Sequence, residues 1–114
     1  MYKQIAEMWT SALRSGEYAQ GGFVLLNKNQ FCCLAVLCDI HSKQTGNSWC
    51  DVEESEEKTY LGESNFLPRE VMEWAGMNSI FGEVSGTNLA YLNDEKSFSF
   101  NSIADLIDKN WESL

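Results

Sequence analysis

Proline is nearly missing from this chain: Pro68 is the only one in 114 residues. No low-complexity tract or internal repeat accompanies it, so a repeat array is excluded and disorder is not expected. Long hydrophobic runs are missing too. The longest, Phe31–Cys38, falls well short of the ~18 residues a membrane helix needs. The N-terminal stretch Met1–Glu7 carries an acid and lacks an apolar signal core, so export is not expected and the cytoplasm is. Cations are scarce, with eight Lys and Arg against seventeen Asp and Glu and a net charge of −9. Lys3, Arg14, Lys28 and Lys43 against Glu7, Glu17 and Asp39 leave residues 1–50 at +1, so residues 51–114 carry −10. Such a surface repels phosphate backbones, which are bound by Lys and Arg replacing counterions, and attracts a basic protein face. A phosphate-cradling loop is also lacking, since Gly21-Gly22 has neither the lysine nor the spacing.

What remains is apolar enough to fold. Hydrophobic residues make up 44% and aromatics 12% of the chain, enough for one core without staples. Residues 2–14 read as an amphipathic helix, because Ile5, Met8, Trp9, Ala12 and Leu13 fall on one face and Gly16 supplies a left-handed stop. Phe23–Leu26 and Gln30–Cys32, around Asn27-Lys28-Asn29, predict a short hairpin. The apolar stretch that follows fits a buried strand or a buried helix. A helix over Cys33–Lys43 is favoured, since Leu34, Leu37, Cys38 and His41 share a face and Gly46 lies just beyond. Short strands are expected near residues 48–52 and 58–61. Helices are expected from Pro68 to Ala75, over Asn88–Asn93, and from a Ser99 cap with Ile103, Leu106, Ile107 and Trp111 inward. The sum is one α+β domain over residues 1–114, with four or five helices and a small antiparallel hairpin or sheet. Its core is expected to join Trp9, Leu34, Leu37, Trp74, Ile103 and Ile107.

Several residues have the chemistry of a site, and each is weighed against plain packing. Cys33, Cys38, His41 and Cys50 offer thiolate and imidazole to zinc, but the spacing C-C-x4-C-x2-H-x8-C matches no knuckle, so small buried thiols are expected instead. Cys32 or Cys33 at a strand-to-helix junction is where a thiol nucleophile would sit. Its base would have to be His41, the single histidine, which lies roughly 12 Å along the same helix by the 1.5 Å rise. Leu89–Ala104 has the outline of a helix-turn-helix, but its second helix presents Asp105, Asp108 and Glu112 where a DNA reader needs basic and amide groups. Arg14, Tyr18 and Gln20 gather around Gly16, and Asn93-Asp94 can face them, as a ligand site or as loop anchoring with Asp94 pairing Arg14. Asp51, Glu53, Glu54, Glu56 and Glu57 form a dense acidic run, either a solvated face or a contact for a basic partner.

Several patterns occur together: Trp9-x3-Leu13-Arg14-Ser15-Gly16-x-Tyr18-x-Gln20, Phe31-Cys32-Cys33-Leu34-x-Val36-Leu37-Cys38-Asp39, Leu67-Pro68, and Leu92-Asn93-Asp94-x3-Ser97-Phe98 with Ile103-Ala104-Asp105. Over roughly Trp9 to Ile107 they resemble a family of small uncharacterised proteins of tailed bacteriophages and prophages. The chain departs from that family's usual form at Ala35, where glycine is usual, and at Glu95-Lys96, where a turn glycine is frequent. The resemblance implies a viral accessory protein made in the host bacterial cytoplasm. It carries no assigned activity and therefore no catalytic residues. The expectation is an acidic, non-enzymatic protein that binds and inhibits or redirects a host protein, with no cofactor, no metal, no direct nucleic-acid contact and no membrane span. The alternative is a small-molecule or nucleotide-binding module, or a small enzyme, built on the Arg14–Gln20 loop and Cys32/Cys33. A structural particle component has no support, and the oligomeric state is open.

Native mass spectrometry of the purified protein should give the mass of four reduced cysteines, and elemental analysis should find no stoichiometric zinc. Two intact disulfides, or one zinc per chain, would overturn the reading of the thiols as core packing.

Overall fold

The first helix, α1 (Lys3–Arg14), stops where Gly16 takes φ 78°, a left-handed conformation that a Cβ would strain. Its buried side is turned from the expected stripe. Ala6, Trp9, Thr10 and Leu13 are buried, while Ile5, Met8 and Ala12 lie half-buried at the margin. A computed structural model describes the whole chain, Met1–Leu114.

After β1 (Ala19–Gln20), the expected hairpin forms in a shorter version from β2 (Leu26–Asn27) and β3 (Gln30–Phe31). Lys28 and Asn29 make its turn with φ 53° and 61°, the two positive values a type I′ turn requires. Phe23 and Val24, expected in the first strand, lie outside the ladder. Helix α2 (Cys33–Thr45) follows directly and ends at Gly46, φ 81°, so the stretch is a helix and not a strand. Cys33 to Cys38 are all buried, as are Ile40 and His41, so α2 is covered on nearly every side. A helix apolar all round belongs in the middle of a domain.

Strands β4 (Cys50–Asp51) and β5 (Glu57–Thr59) complete a sheet in the order β1-β3-β2-β5-β4. All its pairs are antiparallel except β1 with β3, a parallel pair outside the antiparallel expectation. Pro68 precedes α3 (Arg69–Ala75), and Gly76 ends it at φ 69°. A Cβ at Gly76 would stand 2.9 Å from the Tyr2 ring, so close approach as well as conformation requires glycine there. A separate two-stranded ladder of β6 (Glu83–Val84) and β7 (Thr87–Asn88) leads into α4 (Leu89–Asp94) and α5 (Phe100–Asn110). Asn88 and Ser99 cap these helices by accepting the amide hydrogens of Tyr91 and Ser102. The result is five helices and two small sheets in one α+β domain.

One core cluster runs through the molecule, with α1 laid along α5 and α2 enclosed by α1, α3, α4 and β3. Trp9 is fully buried and its indole N–H donates to the Cys33 carbonyl at 2.9 Å, tying α1 to the start of α2. Leu34, Leu37, Ile103 and Ile107 are fully buried as expected. Trp74 is the exception. It is half-buried and packs edge-on against His41 at 5.0 Å, because short α3 covers α2 from outside.

Truncating Leu37 or Ile103 to Ala should cost about 2–5 kcal/mol in urea denaturation, the usual range for emptying a packed site. A loss below about 0.5 kcal/mol at either position would contradict this packing.

Candidate functional site

Three groups of residues have the chemistry of a site, and the first is the loop after α1. Gln20 and Asn93 are brought together as expected, but as an internal bracket. The Gln20 amide donates to Asn93 Oδ1 at 2.9 Å and to the Phe98 carbonyl at 2.8 Å, and its Oε1 accepts from the Phe100 amide. Asn93 is buried. Its Oδ1 also accepts from the Cys33 amide, and its Nδ2 donates to the Gly21 carbonyl and to Asp94 Oδ1, both at 2.9 Å. With every donor and acceptor engaged, these two amides hold the loop, α2, α4 and α5 in register.

Arg14 does not meet Asp94. Its guanidinium donates to Asp105 and Asp108 of α5, 2.7 Å from each, and hydrogen bonding to Asp108 and then Asp105 raises its pKa. Asp105 and Asp108 stand one turn apart on the face of α5 that follows α1, so the packing of the two helices selects them. Arg14, Tyr18 and Gln20 do line one open hollow of about 260 Å3 with Ser99, Phe100 and Asn101. Asn93 and Asp94 lie outside its walls. Tyr18 donates its hydroxyl to Asp39 at 2.6 Å. The hollow therefore offers a guanidinium already held by two carboxylates and a phenol already bonded, which leaves little to grip an anion.

The second group is the thiols and His41. Cys32 precedes the first turn of α2, and burial pushes its thiol up to about 12, so the helix N-terminus does not produce a thiolate at neutral pH. Burial likewise raises Cys33 and Cys38 well above the ordinary value, and the Cys33 thiol donates weakly to the Leu89 carbonyl. Cys50 departs from the expectation of a buried thiol. It is exposed on edge strand β4, because its side chain there has no layer to cover it. Cys33, Cys38, His41 and Cys50 do not converge on a common point as metal ligands would.

His41 is only 2% exposed. The Tyr60 hydroxyl lies 2.6 Å from its Nδ1, and a Glu70 carboxylate oxygen stands 3.8 Å from Nε2. With the ring proton on Nε2, toward Glu70, the phenol donates to Nδ1. Burial lowers the His41 pKa against the opposing pull of Glu70, and burial pushes the Tyr60 phenol up to about 12. Neither group is reachable as a base.

Sequence reasoning missed Asp39. Its carboxylate accepts from Tyr18, from the Trp49 indole at 3.1 Å, and from Lys43 at 3.2 Å. Around it runs an aromatic belt in which Tyr18, Phe31, Trp49, Tyr60, His41 and Trp74 contact one another in turn. The readable signal was the i, i+4 pair of Asp39 and Lys43, which follows directly on the apolar run Cys33–Cys38.

The third group is the acidic run. It forms the β4–β5 hairpin, with residues 52–56 as its turn and Glu54 at φ 58°. Asp51 pairs with Lys58 at 3.2 Å, and Glu56 stands 4.0 Å from Lys28. Glu53, Glu54 and Glu57 have no cationic partner within 4.0 Å. Asp51, Glu53, Glu54 and Glu56 are exposed and Glu57 is half-buried.

These features describe a small α+β domain whose buried polar groups are occupied with one another and whose surface charge is acidic. The chain belongs to the family described as a domain of unknown function (DUF8296), whose model matches residues 1–111. No curated protein and no solved structure matches it significantly. No helix is long and apolar enough to cross a membrane.

Since burial holds His41 neutral, the unfolded chain binds a proton that the native chain refuses between the ordinary value of about 6.5 and the lowered native one. Stability present above about pH 6.5 is therefore lost as pH falls below it. Urea denaturation of wild type and His41→Gln over about pH 7.5 to 5.5 should show a steeper loss for wild type. Equal slopes would contradict a neutral, buried imidazole.

Proposed function

We propose that this protein acts by binding another protein, with the β4–β5 hairpin on or beside the contact. The observation that carries this reading is the hairpin itself, where five acids lie within Asp51–Glu57, four of them exposed, and Glu53, Glu54 and Glu57 lack a cationic partner. Unpaired carboxylates cannot be buried within a chain, but they can meet a basic surface on a second one and speed its approach. The inactive state of the candidate nucleophile and base supports a non-catalytic role. The resemblance to small tailed-phage and prophage proteins supports a partner in the bacterial host, one that the protein inhibits or redirects in the host cytoplasm, as an anti-defence or takeover factor would. Residues 51–114 at −10 make direct binding of nucleic acid unfavourable.

The alternative, a small-molecule module or enzyme on the Arg14–Gln20 loop and Cys32/Cys33, has only the open hollow in its favour. Its Arg14 and Tyr18 are already bonded to carboxylates, and the thiols of Cys32 and Cys33 are buried and protonated.

The test is kinetic. Changing Glu53, Glu54, Glu56 and Glu57 together to Gln should slow association with a host protein captured by the wild type about tenfold at low salt. Raising the ionic strength should slow the wild type toward the variant. Equal rates for the two proteins from low to high salt would reduce the hairpin to a solvated loop.

A further inference from the structure

Phe23 is held at φ 70°. That left-handed region is costly for a bulky aromatic residue, and burial of the ring does not repay the cost, because 62% of the residue is exposed. Two glycines stand immediately before it, yet neither takes the turn. A Cβ at Gly21 would meet Gln30 at 2.8 Å, and one at Gly22 would meet Asp94 at 3.1 Å, so both are used for close approach. The left-handed position falls to a phenylalanine presented to solvent.

Contacts around Phe23 lead step by step to other aromatic residues. Its carbonyl accepts from the Asn65 amide at 3.2 Å. The next ring along, Phe66, packs against Phe81 at 5.5 Å, and the Phe81 carbonyl accepts the Ala90 amide at 3.3 Å. Tyr91 follows, and Asp94, near the end of α4, returns to Gly22. Four segments thus close a circuit that carries Phe23, Phe81 and Tyr91, three of the five exposed large hydrophobic residues, with Phe81 and Tyr91 exposed by 41% and 43%. Exposed apolar patches of this kind on a small domain mark contacts.

Charge decides what fits there. Glu63 lies two residues before Asn65, Glu83 two after Phe81, and Asp94 and Glu95 just beyond Tyr91, and none of the four has a cationic partner within 4.0 Å. One cation is already drawn to the face, since the Lys96 ammonium sits 5.8 Å from the centre of the Tyr91 ring. A second copy of a chain at −9 and an anionic lipid surface are both repelled by this rim.

We infer that the face formed by Phe23, Phe66, Phe81 and Tyr91 is a docking surface for a protein segment that presents an apolar side chain flanked by Arg or Lys. The inference rests on the protein-binding reading and adds a second, apolar contact distinct from the β4–β5 hairpin.

The probe is a synthetic peptide with a Leu-Trp-Leu centre flanked by arginines, titrated into isotope-labelled protein and followed by amide chemical shifts. Shifts should move at Phe23, Asn65, Phe81 and Tyr91. A glutamate-flanked peptide and an arginine-flanked Ser-Ser-Ser peptide should each bind at least about tenfold more weakly. Phe23→Asn removes the ring while placing a residue that tolerates the left-handed region. It should weaken peptide binding at least about tenfold with the thermal midpoint unchanged or raised, which a merely structural phenylalanine would not do. Tyr91→Ser should weaken binding similarly. Equal binding by Phe23→Asn, a lowered midpoint in that variant, equal binding of the glutamate peptide, or no binding would each overturn the inference. Shifts confined to Asp51–Glu57 would also overturn it and leave the protein-binding reading standing. Self-association lost in Phe23→Asn on sedimentation would assign the face to a second copy and overturn it as well.

Discussion

The N-terminal half of helix α2, from Cys33 to Cys38, is apolar all round, so it has to be enclosed, and the architecture follows from how that is done. Trp9 reaches from α1 to the first carbonyl of α2, Asn93 reaches from α4 to its first amide, and α3 and the aromatic belt close the far end. The few polar groups on α2 survive burial only because each has a partner: Asp39 with Tyr18, Trp49 and Lys43, and His41 with Tyr60. The enclosure that makes the fold also removes the chemistry. Thiols and an imidazole that would be reactive on a surface are protonated or neutral and out of reach here.

The chain therefore divides its polar residues between two tasks. Inside, amides and hydroxyls satisfy one another and leave no buried polar side-chain atom without a partner. Outside, four of the eight cations are committed to ion pairs: Arg14, Lys28, Lys43 and Lys58. Acids remain in excess, and five of them lie close together on the β4–β5 hairpin. Such pairs add little stability at a surface. Their effect is to leave a field of one sign with few local exceptions.

How much of this was legible depended on whether the signal was local. The helices could be read because their ends are written nearby: Gly16, Gly46 and Gly76 as stops, Pro68 and Ser99 as starts. Strands two or three residues long carry too little alternation to read, and the parallel pairing of β1 with β3 depends on contacts that no window of sequence contains. The candidate site shows the same division. Gln20 does approach Asn93, as their polarity beside a glycine turn suggested. Arg14 goes instead to Asp105 and Asp108, because the seating of α1 along α5 fixes its partner and that seating is a tertiary fact. Phe23 reads as an ordinary strand residue and becomes conspicuous only when its backbone angle and exposure are seen together.

The laying of α1 along α5 also sets the order in which the molecule can assemble. Arg14 and its two carboxylates are separated by 91 and 94 residues, so the helix formed first during synthesis finds its main neighbour among the last. Closing so long a loop adds only slowly to the entropic cost, but contacts this distant slow the search for the native topology. Until α5 emerges from the ribosome, Ala6, Trp9 and Leu13 have lost water on one flank only. During synthesis the apolar stripe of α1 is therefore not fully covered until α5 is available to pack on it.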